Sequence, residues 1–134
     1  MTSTNPPLVS VIAACYNAEN YIDLCMKSLL RQTYQNFEII ICDDASKDNS
    51  ASLLEYWSKK DSRIHILHNE KNLYAAAARN RCIEASQGDY LMIQDIDDYS
   101  KPDRIERLLQ VLQREKIDFV SSAMLIFDRS PDRI

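Results

Sequence analysis

The residues best suited to do chemistry in this sequence follow a short apolar stretch. Residues 91–93 are followed within five positions by the carboxylates of Asp95, Asp97 and Asp98. Two carboxylates 4 Å apart repel by about 4 kcal/mol at an effective dielectric near 20. A divalent cation would turn this repulsion into attraction, and oxygen-only ligands favour a hard ion such as Mg2+ or Mn2+. The pattern therefore predicts a cation site, with Asp95 and Asp97 on one side of the backbone if it stays extended.

The same residues also fit a plainer interpretation. Acidic triplets after strands are often solvated turns, and Ser100 or Asp98 could cap a helix that begins near Lys101 and Pro102. Asp-x-Asp is a short pattern that occurs by chance, so the elements that position it decide between the two interpretations.

The apolar pattern alternates between short, nearly continuous apolar runs and runs with helical spacing. We predict strands at 8–14, 37–42, 64–68, 91–93 and 117–127, the last as one long strand or two, and helices at about 21–30, 50–57, 74–86 and 102–114. This order predicts a three-layer α/β/α sandwich with a mostly parallel sheet.

Small polar residues and the only glycine mark the predicted helix ends. Ser46, Asp48 and Ser50 offer caps for the second helix, and Gly88 is placed to close the third.

Length and charge limit the class of protein. A chain of 134 residues forms one domain, which we place at 8–134 after a disordered lead-in at 1–7. A net charge of -4 without clustered Lys and Arg argues against nucleic acid as a partner. No apolar run approaches the roughly 20 residues of a membrane span, so we expect a cytoplasmic protein for which peripheral membrane association stays open.

The other candidate ligands favour structural roles. The four cysteines, Cys15, Cys25, Cys42 and Cys82, are far apart and lie in apolar settings. We expect them to be free and buried, as in a reducing compartment. His65 and His68 have no third ligand nearby and are expected to be structural or solvent-facing.

In open α/β sheets, ligands bind outside the carboxyl ends of the strands, where the winding direction reverses. Residues 13–17, 43–44 and 95–98 all fall at such ends. Three loops are therefore expected to converge on one crevice.

Four motifs in this order resemble the family 2 glycosyltransferases with the GT-A fold, over a match from Leu8 to about Ala123. They are Val9–Ile12 running into Tyr16 and Asn17, Asp43–Ser50, Ala78–Asn80, and Asp95–Asp98 followed by Pro102–Arg104. The resemblance implies a Rossmann-like nucleotide-binding half and a nucleotide-sugar donor, usually a UDP-sugar.

The resemblance also implies roles for the donor-site residues. Ala14 and Tyr16 correspond to the loop that lines the uridine, and Asp44 to the carboxylate that accepts a hydrogen bond from the uracil ring. Asp43 would orient that loop. Arg79 would meet the uracil or a phosphate, with a surface helix arginine as the alternative.

Asp95 and Asp97 resemble the family's Asp-x-Asp pair. The first usually lies near the ribose and the second binds Mn2+ or Mg2+ that bridges the diphosphate, so both are candidate metal ligands. Asp98 is an alternative ligand, because in some relatives the acidic pair is shifted by one residue along the sequence.

The sequence departs from the family pattern at three positions. Many relatives carry glycine where Tyr74 and Cys82 stand, and proline where Ala14 stands. Tyr74 is therefore expected to narrow the donor pocket or to stack within it.

The resemblance implies an inverting transfer of a sugar to a hydroxyl of a saccharide or lipid-linked acceptor in cell envelope polysaccharide synthesis, at the inner face of the membrane. Nothing after Asp98 resembles the general base of such enzymes, so we expect the chain to be the donor- and metal-binding half of a longer transferase. The alternatives are a nucleotidyltransferase, whose glycine-rich phosphate loop is missing after the first strand, a signalling receiver domain, and a nucleotide-binding remnant or scaffold without catalysis.

Overall fold

Four strands and four helices alternate in the computed structural model, which describes residues 5–126. The strands are β1 (Val9–Cys15), β2 (Phe37–Asp43), β3 (Ile64–His68) and β4 (Tyr90–Ile93). The helices are α1 (Ile22–Leu30), α2 (Ser50–Lys60), α3 (Tyr74–Ala85) and α4 (Arg104–Glu115). Each lies within a few residues of its predicted position.

The four strands form one parallel sheet in the order β3-β2-β1-β4. Its register aligns Val9 of β1 with Phe37 of β2 and Tyr90 of β4. One face packs against apolar side chains of α1, α2 and α4, and the other against Ala78 and Cys82 of α3. The predicted three-layer α/β/α sandwich is confirmed, and it follows the tendency of parallel sheets to have helices on both faces.

The polar residues expected to cap α2 bond elsewhere. The helix begins after Asn49 without a side-chain cap bond, while Ser46 Oγ and Ser50 Oγ accept from the backbone N–H groups of Asn17 and Ala18 at 3.0 and 2.8 Å. Only Asp48 bonds locally, through Oδ1, to the N–H of Ser50. The serines therefore join the loop after β2 to the loop after β1.

Gly88 does not close α3 as a left-handed residue, and that prediction is wrong. The helix ends at Ala85, and no glycine has positive φ in the part of the chain described. A Cβ atom on Gly88 would instead lie 2.5 Å from Ser10 Oγ and 2.9 Å from the carbonyl oxygen of Leu8. The residue is small because β1 passes close to it.

The predicted fifth strand is also wrong as far as residue 126, and Phe127 lies outside the described residues. Residues 117–126 have no regular secondary structure, and Phe119 and Ile126 are 79% and 98% exposed. A strand needs a hydrogen-bonding neighbour as well as apolar residues. No described element offers one to this segment.

The expected burial of β4 holds on one face only. Met92 lies in the core, whereas Leu91 and Ile93 on the opposite face are 48% and 58% exposed. The cause is that α3, the helix covering this face, packs on β1 and β2 rather than on β4.

The cysteines are free and buried as predicted. Burial raises the pKa of Cys15 to about 11 and of Cys25 to about 12. His68 contacts Glu55 at 2.7 Å, which agrees with a structural role. Of the lead-in, residues 1–4 lie outside the described range, while Pro6 accepts a bond from Asn36 Nδ2 at 2.7 Å. No helix within residues 5–126 has the length and apolar character to span a bilayer.

Candidate functional site

The winding of the sheet reverses between its two strands β1 and β4. The chain runs outward from β1 to β2 and β3, then returns to place β4 on the other side of β1. A cleft of about 350 Å³ lies there, at the carboxyl ends of the two strands. Its lining comes from the end of β1 and the loop that follows it, the first half of α3 and the loop after β4: Ala14, Tyr16, Asn17, Ala18, Tyr21, Ala75, Arg79, Asp95, Ile96 and Asp97. Five of the predicted site residues thus meet in one cleft.

Asp95 and Asp97 are exposed on the cleft side. Gln94, which precedes them, is 1% exposed, and Ile96, which lies between them, is 8% exposed. The alternation expected of an extended strand thus continues past the end of β4. The backbone then turns, with the Asp98 N–H donating to the Asp95 carbonyl oxygen at 3.0 Å. The turn presents both carboxylates to the same cleft.

Arg79 of α3 supplies the positive charge nearest to this pair. Its Nη2 lies 2.5 Å from Asp95 Oδ1, and its Nε is buried without a hydrogen-bond partner in the structure. Asp97 makes no ion pair with any residue in the range 5–126. The cleft therefore contains one carboxylate matched by an arginine and one that is not.

Asp98 stands apart from this arrangement, because it does not line the cleft. Burial raises the pKa of Asp98, and the charges of Asp95 and Asp97 raise it further, against the opposing effect of Arg104. The geometry favours Asp95 and Asp97 over Asp98 as ligands.

The donor atoms fit a divalent cation that is shared with a ligand. Among residues 5–126, no three His, Cys, Asp or Glu side chains are grouped to hold a metal ion. Mg2+ characteristically binds one or two carboxylates and takes its remaining ligands from phosphates and water. Asp95 and Asp97 match that requirement, while a fully protein-coordinated metal does not fit.

Asp44 lies at the same edge of the sheet, one strand away, and is almost fully buried. Its Oδ1 accepts from Asn69 Nδ2 at 2.7 Å and from the Leu73 N–H at 2.8 Å. Arg81 in turn donates to Asn69 Oδ1, which orients the amide. Asp44 thus ties the loop after β2 to the start of α3.

Asp43 ends β2 and is also buried. Its Oδ2 lies 3.6 Å from His68 Nδ1, whereas Oδ1 has no hydrogen-bond partner in the structure. Neither Asp43 nor Asp44 lines the cleft itself. The three loops expected to converge share one edge of the sheet, but two of them, with α3, form the cleft.

Three non-glycine residues at this edge have left-handed backbone conformations. They are Asn17 with φ 48°, Ala45 with φ 61° and Tyr74 with φ 68°. Asparagine tolerates this region, but alanine and tyrosine do not favour it. Strained residues of this kind gather at ligand-binding sites.

The sequence pattern indicated no role for four polar residues whose hydrogen bonds support the loops at this edge of the sheet: Asn69, Arg81, Gln94 and Arg104. Gln94 carried a usable signal, because it is a polar residue at an inward position of an alternating stretch. Asn69 and Arg81 carried none, since their bonds depend on how β3 and α3 pack.

The chain was compared with known families and proteins. The profile described as Glycosyl transferase family 2 matches residues 10–133. Glycosyltransferase GlyG of Streptococcus pneumoniae serotype 4 is 39% identical over 92% of this chain and 41% of its own length. The Escherichia coli UDP-Glc:alpha-D-GlcNAc-diphosphoundecaprenol beta-1,3-glucosyltransferase WfgD is 38% identical over 84% of this chain and 44% of its own.

Among solved structures, that of S. aureus TarS 1-349 in complex with UDP-GlcNAc superposes with a TM-score of 0.75 at 25% identity. The match covers 81% of this chain and 32% of that one. The chain thus spans less than half the length of these three relatives. With a family profile matching nearly all its residues, and with its acidic turn at the reversal point of a parallel sheet, the chain belongs to glycosyltransferase family 2.

Proposed function

We propose that this chain forms the donor-binding half of a glycosyltransferase that transfers a sugar from a UDP-sugar to an acceptor hydroxyl. The observation that carries the proposal is the cleft at the reversal of the sheet, where Tyr16, Arg79, Asp95 and Asp97 meet. The name of WfgD specifies a UDP-glucose donor, and TarS 1-349 forms a complex with UDP-GlcNAc. Both relatives support uracil as the base.

In this proposal the nucleoside lies against the loop after β1. Tyr16 is 44% exposed at the cleft and offers an aromatic face on which a base can stack. Asp44 lies outside the cleft lining, so the uracil would have to extend beyond the cleft to reach Asp44 Oδ2, the oxygen that accepts no hydrogen bond from residues 5–126. Asn69 and Leu73 hold the other oxygen, and Asp43 supports the loop.

The diphosphate lies between Arg79 and the acidic turn. Asp97, with Asp95, would hold Mn2+ or Mg2+, which when bound acts as a Lewis acid and neutralises charge on the departing diphosphate. In this proposal Arg79 exchanges its contact with Asp95 for one with a phosphate oxygen. A guanidinium suits that exchange because it can bond either anion with two parallel N–H groups.

The transfer is a single displacement with inversion. The acceptor oxygen forms a bond to the anomeric carbon as that carbon's bond to the diphosphate oxygen breaks, and UDP leaves with the electron pair. The acceptor's proton passes to a general base. We assign that role to no residue of the cleft. A saccharide or lipid-linked acceptor is supported by the name of WfgD, which specifies a diphosphoundecaprenol-linked GlcNAc as its acceptor.

The test is calorimetric titration with UDP in Mn2+ and in EDTA. We expect Mn2+ to increase the affinity for UDP. Asp97→Asn should reduce this increase in affinity by about tenfold or more, since even outer-shell partners of metal ligands contribute tenfold or more. Asp103→Asn is the matched control, because Asp103 lies outside the cleft and pairs with Arg107 at 3.2 Å. An unchanged gain in Asp97→Asn would contradict the ligand assignment.

Arg79→Met separates the phosphate contact from the cation. A charge-assisted hydrogen bond contributes about 1.5–3 kcal/mol, so UDP binding in EDTA should weaken about tenfold or more. Equal UDP affinity in wild type and Arg79→Met would leave Arg79 a surface helix arginine.

A further inference from the structure

A buried cluster of hydrogen-bonding side chains supports the turn that carries Asp95 and Asp97. It consists of Gln94, Ser100 and Arg104. Gln94 and Ser100 are each 1% exposed. Buried polar groups are retained where they are fully hydrogen-bonded, so the bonds of this cluster indicate what it holds in place.

The side-chain amide of Gln94 bridges the two ends of the turn. Its Nε2 donates to the carbonyl oxygens of Asp95 at 3.0 Å and Asp98 at 3.2 Å. Gln94 Nε2 therefore joins Asp95 and Asp98, the same two residues that the backbone hydrogen bond of the turn links. This fixes the backbone on both sides of Asp97.

Ser100 and Arg104 determine which way that amide points. Ser100 Oγ and Arg104 Nη1 both donate to Gln94 Oε1 at 2.7 Å. An amide oxygen accepts and an amide nitrogen donates, so these two donors force Nε2 toward the turn. The orientation of Gln94 is thus set by residues on the far side of the acidic segment.

Arg104 is itself held by several bonds. Its Nη1 also donates to Ser100 Oγ at 2.9 Å, and its Nη2 to the Ile93 carbonyl oxygen at 3.4 Å. Burial lowers the pKa of Arg104 and the charges of Asp98 and Asp95 raise it. Arginine stays protonated in proteins, so a positive charge lies beneath the acidic turn whether or not a cation is bound.

We infer that Gln94, oriented by Ser100 and Arg104, is the positioning residue that keeps Asp95 and Asp97 facing the cleft for a cation and diphosphate. The inference rests on the proposed function and adds residues to it that touch no donor. Its physical basis is that a flexible acidic turn would separate two like charges, which then could not bind one cation together.

The test compares Gln94→Met with Gln32→Met. Gln32 is an equally buried glutamine whose Nε2 donates to the Lys101 carbonyl oxygen at 2.7 Å and whose Oε1 accepts from the Ile105 N–H at 3.0 Å. It anchors the start of α4 and makes no hydrogen bond to the acidic turn. Both variants lose a buried amide of the same size, so loss of stability alone affects both.

UDP is titrated by calorimetry in Mn2+ and in EDTA, and Mn2+ alone by water proton relaxation. In Gln94→Met we expect the gain in UDP affinity from Mn2+ to fall about tenfold or more, as for outer-shell partners of metal sites. UDP affinity in EDTA should stay within about twofold, as for uncoupled sites. Gln32→Met should retain the whole gain, although both variants melt at lower temperature.

Ser100→Ala is a milder variant in case Gln94→Met does not fold. It removes one bond to Gln94 Oε1, and we expect the gain to fall about threefold, the effect of one net hydrogen bond. The inference would be overturned if folded Gln94→Met or Ser100→Ala kept the whole increase in UDP affinity from Mn2+. It would also be overturned if Gln32→Met lost as much of that increase as Gln94→Met. Wild-type protein without any gain from Mn2+ would instead overturn the proposed function, and the inference with it.

Discussion

Tyr74 combines a strained backbone with a freely exposed side chain. Its φ of 68° lies in the left-handed region, and its ring is 78% exposed at the first residue of α3. This is one of the positions where many family 2 relatives carry glycine. The structure therefore shows why glycine suits this position, since the backbone turns left-handed where α3 begins beside the cleft.

We predict that Tyr74→Gly is more stable than Tyr74→Ala. Alanine keeps the Cβ atom that makes a left-handed residue unfavourable by about 1–2 kcal/mol, whereas glycine removes it. Glycine also loses about 0.5–1 kcal/mol through backbone entropy, so the expected advantage in the free energy of unfolding is about 0.5–1 kcal/mol. Urea unfolding of both variants measures it.

A Tyr74→Ala protein as stable as Tyr74→Gly would show that the backbone at residue 74 is not left-handed in solution. UDP titration of the same two variants then tests whether the ring contributes to the donor pocket. Loss of affinity in both variants would indicate a contact made by the ring, because both lack it.

At the scale of elements, one short connection fixes α2 and β3 against the start of β2. Arg63 donates from Nε to Asp61 Oδ1 at 3.0 Å and from Nη2 to Asp61 Oδ2 at 2.9 Å. Its guanidinium lies 4.3 Å from the ring centroid of Phe37. Both side chains are less than one third exposed, so solvent screens this pair less than a fully exposed pair.

The pair predicts a pH-dependent stability. The side-chain hydrogen bond from Arg63 holds the pKa of Asp61 below its ordinary value of 3.8, against the effect of burial. A carboxylate whose pKa is lower in the folded state stabilises the protein at any pH above the pKa of the unfolded state. This contribution is lost as the pH falls through the pKa of the folded state. At pH 7 we therefore expect Asp61→Asn to lower the free energy of unfolding by about 1 kcal/mol.

The difference between Asp61→Asn and wild type should narrow as the pH falls below about 4. Asp103→Asn removes a carboxylate from a much more exposed pair and should change stability by less than about 0.5 kcal/mol. Denaturant unfolding from pH 7 to 3 measures both. A difference for Asp61→Asn that does not vary with pH would exclude the ion pair as its cause.

At the scale of the whole molecule, the helices cover the two faces of the sheet unequally. Within residues 5–126, α1, α2 and α4 pack on one face and α3 is the one helix on the other. The uncovered area is the face of β4 that carries Leu91 and Ile93. No helix of the part of the chain that is described packs closely on this face of β4.

This asymmetry predicts that adjacent residues of β4 differ in their effect on stability. Met92→Ala removes a side chain that is 7% exposed and should lower the free energy of unfolding by about 2–3 kcal/mol. Ile93→Thr keeps a β-branched residue on the exposed face and should change it by less than about 0.5 kcal/mol. Denaturant unfolding of the 134-residue chain provides both values.

Equal losses in the two variants would mean that this face is covered in solution, for example by a second copy of the chain. Repeating the measurement over a range of protein concentrations distinguishes that case, because association makes stability depend on concentration.

The sequence pattern correctly predicted the four strands and four helices of the structure and the side of the chain on which Asp95 and Asp97 lie. Both follow from local periodicity, because alternation past Ile93 places Asp95 and Asp97 on one side wherever the strand lies. The family followed from four motifs whose spacing is a property of the chain alone.

Which groups meet depends on the three-dimensional packing of distant segments. Arg79 reaches Asp95, Ser50 bonds the loop after β1 instead of capping α2, and Gly88 makes room for Ser10, all through packing between segments distant in sequence. The residues at 117–126 have the composition of a strand, but no other segment within residues 5–126 pairs with them. Periodicity specifies which side of an element is buried, whereas the partner of a polar group or a strand edge depends on what the rest of the fold brings beside it.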